Sequence, residues 1–365
     1  MESASKQHIQ TWCPMDNNLK SLIDRLEAER RLKKTEYKML IEGFSEELAA
    51  YAASKADRIR QSIYGKDVYI RGLIEVSNIC ANDCLYCGIR KSNAQCARYR
   101  LPLDTVLECC RKGYELGFRT FVMQGGEDGF FTAEHICSYV SSIKESFPDC
   151  AVTLSLGEYS KDEYKAMYEA GADRYLIRHE TADKAHYEKL HPASMSFERR
   201  MKCLEDIKDI GFQTGCGFMV GSPYQTSDTL AADLKFIEEF SPHMCGIGPF
   251  IPHKDTPFGN CPAGTAELTI YLLSLIRLIR PDILLPATTA LGTIDAMGRE
   301  KGILAGANVV MPNLSPVSER KKYMLYNDKI CMDEEAAENL AALKRKVSAI
   351  GYRIVTDRGD FRNII

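Results

Sequence analysis

The sequence has no run of about 18 apolar residues, so nothing in it reads as a membrane-spanning helix. Neither charge dominates: 47 Lys and Arg stand against 50 Asp and Glu, a formal net charge of −3. That balance argues against a nucleic-acid platform and against a polybasic membrane anchor. The opening, MESASKQHIQTWCPMDNN, lacks the basic-then-apolar pattern of a secretory leader. No low-complexity linker divides the chain. Together these absences lead to the expectation of a soluble, cytoplasmic protein with neither nucleic acid nor membrane as partner. What is present is a hydrophobic fraction of 45% in 365 residues, ample for a sizeable core.

Cysteine, at 14 residues, is abundant. In a small secreted protein such a count reads as a disulfide framework; in a cytoplasmic one, metal binding or catalysis is the better reading. Cys13, Cys137, Cys150, Cys203, Cys245 and Cys261 are scattered and read as small buried apolar residues. Cys80, Cys84 and Cys87 are grouped.

Residues 18–64 carry apolar side chains at three- and four-residue intervals, in NLKSLIDRLEAERRL and SEELAAYAASKADRIRQSIY. They predict an N-terminal helical extension over 1–65 that breaks at Gly65-Lys66-Asp67. Apolar runs of strand length then recur at 68–77, 120–124, 151–155, 174–178, 213–220, 244–248, 283–286 and 308–311. Amphipathic helical segments lie between them, among them 103–116, 160–170, 196–210 and 226–240. YELGF, YEAGA, KDIGF and ILAGA each set a glycine where a helix stops and a strand follows. Eight strand–helix repeats, roughly 30 residues apart, predict an α/β fold, a (β/α)8 TIM-type barrel over 66–315. A doubly wound open sheet is the competing topology. Residues 316–365 read as one more helix and an irregular end that close the barrel.

The first strand, YIRGLIEVS, runs into Asn78-Ile79-Cys80-Ala81-Asn82-Asp83-Cys84-Leu85-Tyr86-Cys87-Gly88, a C-x3-C-x2-C spacing. In a barrel this loop lies on the face where active sites are built. Three close thiolates suit an iron–sulfur cluster, since soft sulfur ligands favour iron and zinc over hard cations. A structural zinc site wants a fourth ligand, and the nearest candidate, Cys96, stands in another segment without paired spacing. A coincidental clump of buried cysteines is the bland alternative. The position after a first strand, and Tyr86 just before the last cysteine, weigh against it. After the second strand comes Gln124-Gly125-Gly126-Glu127-Asp128. Glycine lets the backbone approach closely and Glu127 offers an acceptor for an ammonium, although alone these residues could form a plain turn.

The cysteine loop resembles the signature of the radical S-adenosylmethionine superfamily. In that superfamily the open iron of a [4Fe-4S] cube chelates the amino and carboxylate groups of the cofactor's methionine part. The reduced cluster passes one electron to the sulfonium, releasing methionine and a 5′-deoxyadenosyl radical. A closed barrel suits this by keeping the radical from solvent. From about Leu19 to Cys331 the blocks SNICANDCLYCGIRKSN, VTLSLGE, AGADRYLIRHET, QTGCGFMVGSP, GIGPFIPHKDTP, PATTALGTI and GANVVMPNLSP follow the order of the HydE family. That family helps build the active-site cluster of [FeFe]-hydrogenase and shares a branch with biotin synthase and methylornithine synthase.

The resemblance implies one [4Fe-4S] cluster on Cys80, Cys84 and Cys87. It implies S-adenosyl-L-methionine beside Tyr86, Gln124, Gly126, Glu127, Ser155, Glu180, Arg200 and Met219, with Glu180 toward the ammonium and Arg200 toward the carboxylate. A surface ion pair is the commoner fate of such a Glu and Arg. Met219 and residues 246–249 line the adenine side or are plain core packing. Arg71, Thr153, Arg178, Thr288, Thr289 and Tyr323 are the implied substrate contacts. Arg178 also stands on physical grounds, because an Arg ending a buried strand needs a partner and a carboxylate is its natural one. Tyr323 and Tyr326 either cap that pocket or pack. His179 and His253 read as structural hydrogen-bonders, since radical chemistry needs no general base. The implied substrate is a small molecule or organometallic complex with a carboxylate, a cysteine-bearing iron carbonyl–cyanide precursor; other hydrogenase maturation proteins are the implied partners. Some relatives carry a second cluster on C-x7-C-x2-C, but here Cys331 is followed by Asn339 and Ala342, so one cluster is expected. Rival readings are a mutase or synthase acting on an amino acid, and a non-catalytic cluster carrier.

Overall fold

A computed structural model of the chain describes residues 17–332 and 335–363; Cys13 and the start of the expected extension lie outside them. Three helices come first, α1 (Asn17–Glu29), α2 (Lys34–Glu42) and α3 (Glu46–Tyr64). Their apolar faces bury Leu22, Ile23, Leu26, Leu40 and Leu48, as the three-four spacing requires. The Ser45 hydroxyl caps α3 by accepting from Leu48 N.

Eleven strands follow among the described residues. They are β1 (Asp67–Ile70), β2 (Gly72–Ser77), β3 (Thr120–Gly125), β4 (Ala151–Ser155), β5 (Arg174–Leu176) and β6 (Gln213–Cys216). The later ones are shorter: β7 (Met219–Val220), β8 (Met244–Cys245), β9 (Gly248–Pro249), β10 (Val309–Val310) and β11 (Arg353–Val355). Six pair in parallel in the order β2-β3-β4-β5-β6-β8. Single bridges, Met244 to Leu284 and Pro286 to Val309, continue the ring, and β10 returns it to β1. The result is the expected TIM-type α/β architecture, not an open doubly wound sheet. Outside it lie α4 (Leu103–Glu115), α5 (Ala133–Ser146), α6 (Lys161–Glu169), α7 (Lys184–Leu190), α8 (Phe197–Ile210), α9 (Ser227–Phe240), α10 (Ala266–Ile279) and α11 (Thr289–Ile294). Tyr37 of α2 donates to Glu238 of α9 at 2.7 Å, seating the N-terminal helices on this layer.

Strand alternation sorts the side chains. Phe121, Met123, Val152, Leu154, Tyr175 and Ile177 join the core beneath the helices. Thr153 and Arg178 therefore face the barrel interior. A second cluster of Tyr69, Met244, Leu284 and Val309, with Leu176, Met311 and Phe361 against it, fills the interior at the other end.

Several expected strands are interrupted. The run 68–77 breaks at Arg71, because β1 pairs with β10 and β11 whereas β2 pairs with β3. The runs 213–220 and 244–248 each split in two where the backbones of Gly217 and Gly246 press together; a Cβ on Gly217 would strike Gly246 O. Residues 283–286 are held by bridges and not by a ladder. The C-terminal end is also more ordered than expected. After a helix over Ala336–Ala349, β11 pairs with β1, and residues 357–361 cross the N-terminal ends of the strands. There Arg174 meets Asp360 at 2.6 Å, Gln213 donates to Asp360 at 2.8 Å and Thr120 donates to Arg358 O at 2.7 Å. The four cap glycines, Gly117, Gly171, Gly211 and Gly306, all have φ between 96° and 107°. No helix among the described residues is long and apolar enough to cross a membrane.

Candidate active site

The cysteine loop leaves β2 at Asn78, which is fully buried. Its amide donates to Ala97 O at 2.8 Å and Lys322 O at 2.6 Å, while its oxygen accepts from Tyr99 N at 2.8 Å. Ala81 N donates to Glu127 O at 2.8 Å and Gly126 N to Ser77 O at 3.1 Å, which pins the loop to the end of β3. At Gly126 a Cβ would overlap Ile79 O and come within 2.7 Å of Cys80 Cβ, so the close approach requires glycine.

Cys80, Cys84 and Cys87 are half-buried. Burial raises all three thiols, Cys87 to about 12, and neighbouring cysteines push Cys84 and Cys87 further. Such thiols become thiolates only beside a strong positive charge, which a bound cluster supplies. Three thiols on one loop suit a cube, in which each sulfur takes its own iron.

Tyr86 points its hydroxyl at His191 Nε2, 3.2 Å away. Burial lowers the His191 pKa to about 4, so the ring is neutral. Its Nδ1 lies 2.9 Å from Tyr187 O, which fixes the proton there and leaves Nε2 to accept from Tyr86. Met219 sits with Leu190, Phe250 and Phe258 in a small cluster against Leu85 and Tyr86.

Glu180 and Arg200 are only 7% and 6% exposed, so the surface ion-pair alternative fails. Arg200 Nε bonds Glu158 at 2.6 Å, its Nη1 donates to Arg178 O at 2.6 Å, and Nη2 stands 4.0 Å from Glu127. Glu180 has φ 64°, a left-handed conformation that costs a glutamate about 1–3 kcal/mol and recurs at functional sites. Its carboxylate lies 3.4 Å from Arg178. The charges of Arg200 and Glu180 both act on the Cys84 thiol, so all three are neighbours. Burial raises the Glu127 pKa, with Arg200 pulling the other way. Ser155, ending β4, pairs in register with Gln124, whose amide donates to the buried Tyr323 hydroxyl at 3.3 Å.

Deeper in the barrel lie Arg71, 4% exposed, and Thr153. Arg71 Nε and Nη2, Thr153 Oγ1, and Arg178 Nε and Nη2 make no hydrogen bond within the protein. The other Arg71 nitrogen reaches only Met244 Sδ, at 2.9 Å. Burial, reinforced by Arg174, drives the Arg71 pKa well down. Arg178 has the Glu180 carboxylate 3.4 Å away as a charge partner, whereas no carboxylate stands within ion-pair distance of Arg71 among the described residues. Thr288 caps α11, accepting from Leu291 N at 3.4 Å, and Thr289 lines a small cavity with Arg299, Lys329, Cys331 and Asn339.

The two histidines of the motif blocks are engaged structurally. His179 Nδ1 accepts from Gly217 N at 3.3 Å with Nε2 3.3 Å from Asp233, and His253 Nδ1 accepts from Asp255 N at 3.2 Å. Cys137 and Cys261, expected to be buried, are half-exposed because each sits at the edge of its cluster. Sequence reasoning missed Glu158, His191 and the buried Glu75–Lys329 pair, 2.5 Å apart. Only Glu158 carried a signal, as the last residue of VTLSLGE.

The family model of the radical SAM superfamily matches residues 74–237. The [FeFe] hydrogenase maturase subunit HydE of Thermotoga maritima is 42% identical over 342 residues, covering 94% of this chain and 96% of that protein. A 3-methylornithine synthase of Methanosarcina acetivorans is 25% identical across 92% of this chain and 89% of its own. The crystal structure of methylornithine synthase superposes with a TM-score of 0.81 at 22% identity, over 92% of this chain and 97% of that one, which speaks for the fold. By its near full-length identity to the Thermotoga subunit, the chain belongs to the HydE family within the radical SAM superfamily.

Proposed function

We propose that this chain is a maturase of [FeFe]-hydrogenase that binds one [4Fe-4S] cluster on Cys80, Cys84 and Cys87 and acts on an anionic, cysteine-bearing iron carbonyl–cyanide precursor. Superfamily membership brings a [4Fe-4S] cluster and S-adenosylmethionine, which when bound supply a 5′-deoxyadenosyl radical. The protein's own residues bind, orient and exclude water. Glu180 and Glu127 face the cofactor's ammonium, Arg200 and Ser155 its carboxylate, and Tyr86, Met219 and residues 246–249 its adenosine side. Arg178, Arg71 and Thr153, with Thr288 and Thr289, hold the substrate's anionic groups, and Tyr323, bound to Gln124, covers them. The N-terminal helices brace the barrel wall, and residues 316–365 close the barrel at its ends. The observation that carries the reading is the company of groups: three cysteines on one loop, the buried Glu180 and Arg200 acting on Cys84, the Arg178–Glu180 ion pair, and a buried Arg71 with two nitrogens that make no hydrogen bond. A non-catalytic carrier has no use for Glu180 and Arg200.

Anaerobic reconstitution followed by reduction with S-adenosylmethionine tests this. We expect 5′-deoxyadenosine and the cofactor-perturbed paramagnetic signal from the wild type, and neither from Cys84→Ala. A cluster that forms without cleaving the cofactor would sink the enzyme reading. Thiocyanate or a carboxylated thiazolidine should bind the wild type and lose affinity in Arg178→Met; no binding by either probe would count against the substrate assignment.

A further inference from the structure

We propose that Arg98 is a positioning residue for the cysteine loop: its single guanidinium closes the two stems of the loop, one ahead of Cys80 and one behind Cys87. This rests on the cluster assignment above. Arg98 Nη1 donates to Asn78 O at 2.6 Å and Ile89 O at 2.7 Å; Nη2 donates to Arg90 O at 2.6 Å and Asn93 O at 3.2 Å. Asn78 stands two residues before Cys80, whereas Ile89 and Arg90 stand two and three after Cys87. The three cysteines therefore hang in a loop whose ends are tied to one cation. Four carbonyl dipoles converging on a point repel each other unless a positive charge sits among them, so the closed loop depends on that charge. A planar fork satisfies four acceptors at once, and a lysine ammonium with three donors cannot.

Two further contacts carry the constraint to the sulfurs. Asn93, whose carbonyl Arg98 holds, donates from its side chain to Gly88 O at 2.7 Å. The same peptide group supplies Ile89 N–H, which bonds the Cys87 sulfur. The same hydrogen bonds hold the Arg98 charge against both stems of the loop. A cation near a cluster stabilises the reduced, more negative state and raises its midpoint potential.

The test uses full-length protein, reconstituted anaerobically, as wild type, Arg98→Lys and Arg98→Met. Iron and sulfide content, the rate of iron loss to a ferrous chelator and the midpoint potential by paramagnetic titration are read. We expect Arg98→Met to lose iron roughly 10–100-fold faster, the range for removing an outer-shell partner of a metal site, with a more negative midpoint. Arg98→Lys, keeping the charge without the fork, should return the midpoint toward wild type while iron loss stays fast. Wild-type iron loss and midpoint in Arg98→Met would overturn the inference. Should Arg98→Met fail to fold, Arg98→Lys decides alone: fast iron loss at a wild-type midpoint supports the inference, and wild-type iron loss ends it. If the wild type itself takes up no cluster, the cluster assignment falls first; if it loads normally and the variants match it, only the role of Arg98 falls.

Discussion

Arg200 is buried with one carboxylate in direct contact, Glu158 at 2.6 Å, and its orientation toward Glu127 depends on that bond. A charge-assisted hydrogen bond contributes about 1.5–3 kcal/mol. Glu158→Gln should therefore weaken S-adenosylmethionine binding by roughly tenfold to a hundredfold in equilibrium dialysis, with cluster iron unchanged. His191 yields a pH prediction. Its folded pKa, near 4, lies below the ordinary 6.5. Between those values the unfolded chain takes up a proton that the fold refuses, so stability falls as pH drops from 6.5 toward 4, by about 2 kcal/mol at pH 5. Thermal midpoints at pH 7 and pH 5 should show the drop, and His191→Asn should flatten it. The cysteine spacing was legible because its meaning is local. Glu75 and Lys329 were not, because 254 residues separate two side chains that only the barrel brings together.

At the scale of elements, the β3 end and the cysteine loop share one close approach at Gly126. Gly126→Ala puts a methyl into Ile79 O and Cys80 Cβ, so the loop must shift. The expected result is lower iron retention after reconstitution with little change in far-ultraviolet dichroism; full retention would show that the loop yields freely. The strands themselves were readable because parallel strands covered on both faces are continuous apolar runs. Their interruptions were not readable. Arg71 breaks a run whose two halves have different neighbours, and only the closed ring decides which neighbours those are. Glu180 is similar: nothing local in RHET announces a left-handed glutamate, whose backbone is set by Gly217 O accepting from Glu180 N at 3.0 Å.

For the molecule as a whole, late residues reach both ends of the barrel: Lys322 and Leu325 bond the cysteine loop, and Arg358 and Asp360 bond the starts of the strands. Arg174 is fully buried but Asp360 is 39% exposed, and Arg174 also bonds Thr120 and Arg358 O, so Asp360→Asn should cost about 1 kcal/mol, well below the figure for a fully buried pair. The urea midpoint should fall with an unchanged slope. The apolar pattern predicted a barrel, yet not that the chain's end would pair beside its first strand, since a three-residue strand with an exposed Arg353 leaves almost no hydrophobic signature. That arrangement bears on how the protein is made. Asn78 and Gly88, on either side of the cysteines, bond to Lys322 O and Leu325 O, and β1 waits for β11. During synthesis the cysteine loop therefore emerges long before the segments that brace it, and iron delivered to a nascent chain would meet an unbraced ligand set.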